Sequence, residues 1–171
     1  MDRVINSLLL KANRALSSNL ASLSMVDPDH LDEANERFVE HLREGNLTRA
    51  SILRVLLYEL QSLDEKALID YQLGSLSLGA VPLDRYQISE TLLSGFVLEE
   101  CMATWSVPVD LMGEVYCVAS AYYLSNFVRE FWETKLGKGI IWYVTPCGHL
   151  ESLFEAVIKR REALAEEGKE A

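Results

Sequence analysis

Three runs decide the fold: AVPLDRYQIS at residues 80–89, ATWSVPVDLMGEVYCVAS at 103–120 and IIWYVTP at 140–146. The middle run alternates apolar and polar positions on both sides of Met112-Gly113, a hairpin pattern with strands from Trp105 to Asp110 and from Glu114 to Ser120. Pro108 removes one backbone donor, so the first of these strands belongs at an edge or a bulge. Val81 to Asp84 reads as a short strand and Ile140 to Val144 as an apolar one. Between them, Ser89 opens a helical segment reaching roughly Ala103. Ser125 to Leu136 places Leu124, Phe127, Val128, Phe131 and Leu136 on one stripe and stops at Gly137. Thr145-Pro146 starts a last helix with Leu150, Leu153, Phe154, Val157 and Ile158 inward, and the residues from Glu162 to Ala171 read as a frayed polar tail. The expected fold class is α+β. N-terminal helices (1–79) lead into a compact α/β module (80–160) whose small, mostly antiparallel sheet of about four strands is packed by helices, and a polar tail (161–171) follows.

Upstream, Val4, Ile5, Leu8, Leu9, Ala12, Ala15, Leu16, Leu20 and Leu23 recur at spacings of three and four, an amphipathic helix over Val4 to Met25. Its apolar stripe needs a cover, either the module behind it or a second copy of the chain. Asp27-Pro28 marks the next helix start, with Leu31, Ala34, Phe38 and Leu42 on one stripe and Asp29, Asp32, Glu33, Glu36, Glu40 and Glu44 around it. That acidic surface is either a solvated face or a strip for a basic partner. Gly45-Asn46 ends the helix, and Thr48 is read as the cap of a strongly apolar helix through Leu63. A short helix from Asp64 to Leu73 and the loop Gly74 to Gly79 complete the region, with a domain boundary expected at that loop.

The chain has 171 residues, 49% of them apolar, and can bury a core of its own. Its formal net charge of −10 argues against nucleic acid and anionic membranes, because those partners reward clustered Lys and Arg. Only Lys159-Arg160-Arg161 forms a basic run. Three cysteines, Cys101, Cys117 and Cys147, lack metal or redox spacing and suit a reducing, cytoplasmic setting. Asp2, Lys11 and Arg14 break any signal-peptide pattern, and no stretch approaches the roughly 20 apolar residues of a membrane span.

Candidate chemistry is sparse. Cys147-Gly148-His149 puts a thiol in the first turn of a helix, where the dipole favours thiolate, yet close neighbours on a helix do not face each other. A capping-turn residue and a reactive thiol are the two readings. His30 and His41 lie about three turns apart on the acidic helix, too far to share a metal ion, and read as exposed polar residues. Asp84-Arg85 is either an anion-binding loop or a local ion pair. The aromatic set is larger: Trp105, Tyr122, Tyr123, Trp142 and Tyr143 are the candidates for docking a partner, with Trp132 and Tyr116 nearby in sequence. Neighbours on a strand point to opposite faces, so one of each adjacent pair is expected in the core and the other outside. No residue is assigned to catalysis, to a cofactor or to a metal.

Several motifs together resemble a known domain. REGNLTRASILRVLLYELQ (43–61), LGAVPLDRYQIS (78–89), VPVDLMGEVYCVAS (107–120), a helix ending in LGKG (136–139), IIWYVTP (140–146) and HLESLFEAVIKR (149–160) follow the order of the N-terminal domain of type II secretion and type IV pilus assembly ATPases. That domain also occurs fused to a membrane glycosyltransferase known as a phage-adsorption protein. The resemblance spans about residues 36 to 160 and rests on Gly45-Asn46-Leu47-Thr48, Val81 with Leu83, Val107 with Val109, and Val144-Thr145-Pro146. It implies a non-catalytic docking domain whose partner is a protein such as the cytoplasmic part of an inner-membrane secretion or pilus platform.

Two departures qualify it. The chain has no Gly-x-x-x-x-Gly-Lys-Ser/Thr, so the ATPase core is absent. Some family members bind cyclic diguanylate through an Arg-Leu-Gly motif upstream of the glycine that here is Gly45. This chain has Glu36-Arg37-Phe38 there, a carboxylate for the phosphate-binding Arg and a bulky ring for the close-approach Gly. The expected function is therefore a protein-docking or adaptor domain in the cytoplasm, without cofactor, able to form a homodimer through its first helix. The alternatives are a small regulatory domain holding a nucleotide or metabolite between sheet and helices, and a thiol-dependent enzyme centred on Cys147.

Overall fold

The computed structural model describes residues 2–137 and 139–170, without the side chains of 168–170. Helix α1 (Arg3–Ser22) starts at Asp2, whose carboxylate accepts the Val4 N–H, and α2 (Pro28–Arg43) starts at Asp27, which accepts the Asp29 N–H. These caps satisfy donors that the first helical turn leaves unpaired. Thr48 is not a helix cap. Its hydroxyl and the Arg49 N–H both donate to Asn46 Oδ1, closing a turn over 46–49. The helix begins three residues later, where Ser51 Oγ accepts the Arg54 N–H; α3 (Ile52–Arg54) then widens into a π-helical turn (Val55–Glu59). It stops at Leu60, short of the expected Leu63, and Gln61 follows with a positive φ of 49°. Asp64 caps α4 (Glu65–Gly74).

The first strand, β1, is Gly79–Ala80 rather than Val81 to Asp84. The Val81 N–H still reaches Val144 O at 3.0 Å, but Pro82 has no N–H to continue the ladder and the chain turns, Arg85 N–H bonding back to Pro82 O. The single helix expected from Ser89 is two, α5 (Glu90–Ser94) and α6 (Leu98–Thr104), interrupted at Gly95. Trp105 ends α6 in the left-handed region at φ 45°, a conformation that costs a bulky residue energy and persists because packing holds the ring.

Strands β2 (Ser106–Met112) and β3 (Val115–Ser120) form the expected hairpin. Helix α7 (Asn126–Leu136), capped by Ser125 and ended at Gly137, returns the chain to β4 (Ile141–Val144). The sheet order is β1-β4-β3-β2. Strand β2 therefore lies at an edge, and its register slips between Pro108 and Asp110, as the missing proline donor demands.

The sheet is mixed: β2 and β3 are antiparallel, while β3 and β4, and β4 and β1, are parallel. The expectation of mostly antiparallel pairing fails at β4, because a crossover through α7 lays it parallel to β3. Helix α8 (Cys147–Glu170) continues well past Glu162, so the backbone of the expected frayed tail is helical up to Glu170; Ala171 lies outside the described residues.

One hydrophobic core runs from Ile5 to Phe154 and crosses the loop before β1. Helix α1 packs on α6 and α7, burying Leu8, Leu9, Ala12, Leu16 and Leu20 within its own chain. Four buried leucines represent roughly 6–12 kcal/mol of transfer free energy. Pairing two copies through this stripe would require pulling α1 off its own domain.

A buried polar network ties the same parts together. Tyr122 Oη donates to Asn13 Oδ1 at 2.6 Å and lies 2.7 Å from Ser51 Oγ; Asn13 Oδ1 also accepts the Ile52 N–H, and its amide donates to Leu9 O. Ser125 Oγ donates to Ala12 O.

Candidate functional site

The five aromatic candidates do not form one surface. Trp105 and Tyr122 are fully buried and stack with centroids 6.4 Å apart, Trp105 also meeting Phe154 edge-on at 5.9 Å. Both belong to the core, where Trp105 fills the junction between sheet and α8 and Tyr122 serves the polar network, so neither is available as a docking anchor. Trp142 is also buried and packs edge-on against half-buried Tyr123 at 5.7 Å, with the Arg129 guanidinium 4.9 Å from the Tyr123 ring centroid. These residues line a shallow polar depression of about 410 Å³ with Asn126, Glu130, Glu133 and Ile140. Tyr143 follows Trp142 on β4 and lies over β1: a Cβ added at Gly79 would sit 2.9 Å from its ring. Gly79 is required by that close approach.

The Cys147 region is built as a structural joint. The Cys147 N–H at the start of α8 donates to Glu65 Oε2 of α4 at 3.1 Å, and Arg54 pairs with Glu151 at 2.6 Å one turn further on. The thiol is fully buried, and its pKa is pushed up, first by burial and then by the Glu65 and Glu151 carboxylates. A group held protonated in this way is a poor nucleophile. His149 turns toward Asp84, 3.6 Å from its carboxylate, which in turn lies 3.7 Å from Arg85. Tyr58, on the π-helical turn, reaches the start of α8, and burial pushes its hydroxyl up to about 12.

His30 is exposed, but His41 is not the solvated residue expected. Its Nε2 lies 2.8 Å from Glu59, on the π-helical turn, and Glu59 also pairs with Arg37, which reaches Glu33 one helical turn away. Phe38 is 3% exposed and packs from α2 into the core. Among the described residues, no group of three or more His, Cys, Asp or Glu is placed to hold a metal ion, and no helix is long and apolar enough to cross a membrane.

One surface escaped the sequence reading. A groove of about 340 Å³ runs between α5 and α8, with Leu93, Leu153, Ala156, Val157 and Leu164 as apolar lining and Glu90, Arg160 and Arg161 at its rim. Leu164 is 59% exposed. The signal was present: Leu164 continues the spacing of Leu150, Leu153 and Val157, and is lost only if the tail is taken as frayed.

No protein-family model matches the chain, and no curated protein does. Among solved structures, a chain of MshE determined with cdg matches at 18% identity and a TM-score of 0.52. The match covers 82% of this chain and 96% of that one. At that identity the likeness is one of fold, and the fold of this chain is similar to that of the MshE chain over nearly its whole length.

Proposed function

We propose that this chain is a non-catalytic docking domain of the kind found at the N-terminus of secretion and pilus assembly ATPases, acting in the cytoplasm. The fold likeness to nearly all of a chain of MshE, a type IV pilus ATPase, carries this reading. The fates of the candidate groups support it: Cys147 is buried and held protonated, His149 faces Asp84, and Ser89 and Ser125 serve as helix caps. The partner on this reading is a protein, such as the cytoplasmic part of an inner-membrane secretion or pilus platform. Affinity capture from native lysate with the full chain as bait tests it; repeated recovery of no specific protein counts against docking.

The second reading, a regulatory nucleotide domain, is favoured by one observation, that the MshE structure was determined with cdg. Against it stand Glu36 and the buried Phe38 in the motif position, and an Arg37 already engaged by Glu33 and Glu59. A thermal melt with cyclic diguanylate separates the two. A ligand at about 100 times its Kd adds about 2.7 kcal/mol, a rise of roughly 5–10 °C for a domain of this size. The docking reading expects no rise.

A further inference from the structure

The structure assigns the groove between α5 and α8 to one kind of occupant: we propose that it receives an amphipathic helix from a protein partner, carrying carboxylates on both flanks of its apolar stripe. This rests on the docking reading and names the surface and the partner chemistry.

The stripe of α8 is continuous, but its cover is not. Leu150 and Phe154 are fully buried, Leu153 and Val157 are half-buried, and Leu164 is 59% exposed. Leu153, Val157 and Leu164 fall on one helical face, with Arg160 on one side of it and Arg161 on the other. From Leu153 to Leu164 the face is about 16 Å long, which suits a helix of several turns rather than a compact metabolite. On the far wall, Leu93 of α5 supplies the apolar contact and Glu90 pairs with Arg160 at 2.5 Å.

Charge decides the occupant. The chain carries 26 Asp and Glu against 16 Lys and Arg, yet the rim of this apolar groove holds two of the three residues of its only basic run. Two copies of α8 laid antiparallel with Val157 on Leu164, or parallel in register, would bring Arg160 and Arg161 of both copies together. A second copy is therefore opposed by like charge, and a partner with flanking carboxylates is matched. Arg161 forms no ion pair with a described residue, whereas Arg160 can exchange Glu90, an exposed pairing of little worth, for a partner carboxylate.

The test uses the full chain and a fluorescein-labelled helical peptide about three heptads long, with leucine at a and d and glutamate on the flanks. A lysine-flanked counterpart serves as the control. The acidic peptide is expected to raise anisotropy with wild type and to bind at least about tenfold more weakly to Leu164→Asp, since losing one buried leucine contact is worth that factor or more. The same loss is expected for Arg160→Glu/Arg161→Glu, which should instead favour the lysine peptide. Leu164 is exposed, so an unchanged melting temperature for Leu164→Asp separates lost binding from lost folding.

No binding of the acidic peptide, equal binding by Leu164→Asp, or a concentration-dependent dimer abolished by Leu164→Asp overturns the proposal. A native partner captured equally well by wild type and Leu164→Asp leaves docking standing and overturns this groove. Acidic-peptide binding with the expected variant losses, but no native partner captured, supports the groove and counts against the broader docking reading.

Discussion

Replacing Tyr122 by Phe removes one oxygen from the centre of the molecule. Its hydroxyl donates to Asn13 Oδ1 at 2.6 Å and lies 2.7 Å from Ser51 Oγ, which itself accepts the Arg54 N–H. Asn13 Oδ1 keeps the Ile52 N–H, but the Ser51 hydroxyl loses its acceptor in a site with no exposure. An unsatisfied buried donor costs about 1–3 kcal/mol, so Tyr122→Phe should destabilise by about 2 kcal/mol. Asn13→Ala strands two donors, the Tyr122 hydroxyl and the Ile52 N–H, and should cost more, about 3–4 kcal/mol.

Because the residues share one bond, the double variant should cost less than the sum, with a coupling of about 1 kcal/mol or more. The assay is urea unfolding at neutral pH, followed in parallel by far-ultraviolet circular dichroism and tryptophan fluorescence. With an m-value of about 2 kcal/mol per molar, Tyr122→Phe lowers the midpoint by about 1 M. Asn13 lies on α1 and Tyr122 follows β3, so the cycle also tests whether the N-terminal helices and the sheet unfold as one unit. Costs that add to within about 0.4 kcal/mol, or two separated transitions in wild type, would refute the reasoning.

Stability should fall as pH rises above about 9. Burial raises the pKa of Cys101 to about 12 and also raises Cys117, Cys147 and Tyr122, so the unfolded chain loses these protons at lower pH than the folded one. Above the unfolded pKa each such group subtracts up to about 1.4 kcal/mol per pH unit, and a denaturation midpoint that stays flat from pH 8 to 10.5 would contradict this. With all three thiols buried, Ellman's reagent should titrate almost none of them in native protein and all three in denaturant; rapid native labelling of Cys147 would restore the reactive-thiol reading. Gly79→Ala should cost about 1–2 kcal/mol through its clash with the Tyr143 ring, and Tyr143→Leu in the same chain should recover part of the loss on thermal melting.

Features made by side chains bonding to backbone within a few residues were legible from the residues alone. Asp27-Pro28, Asp64, Ser89, Ser125 and Gly137 mark real helix ends, and Pro108 marks both the edge strand and its register slip. Their energies depend on local geometry, which distant parts of the chain rarely override. Thr48 shows the limit: two cap-competent residues, Thr48 and Ser51, stand three apart, and the turn closed by Asn46 decided between them.

Whatever depends on residues far apart in the chain came from packing. The parallel placement of β4, the single core joining α1 to α6 and α7, and the fate of each aromatic belong here. A strand-like run carries no label for its neighbour, and Tyr122 and Tyr123 are chemically alike until Asn13 and Ser51 claim the hydroxyl of one. The runs at 103–120 and 140–146 thus announced the hairpin and β4 of a small sheet, whereas the strand read at Val81 to Asp84 lies instead at Gly79–Ala80. Which of their side chains lie inside, and that the open apolar surface lies instead between α5 and the far end of α8, was settled by long-range contact, since burial belongs to the assembled chain and not to any segment of it.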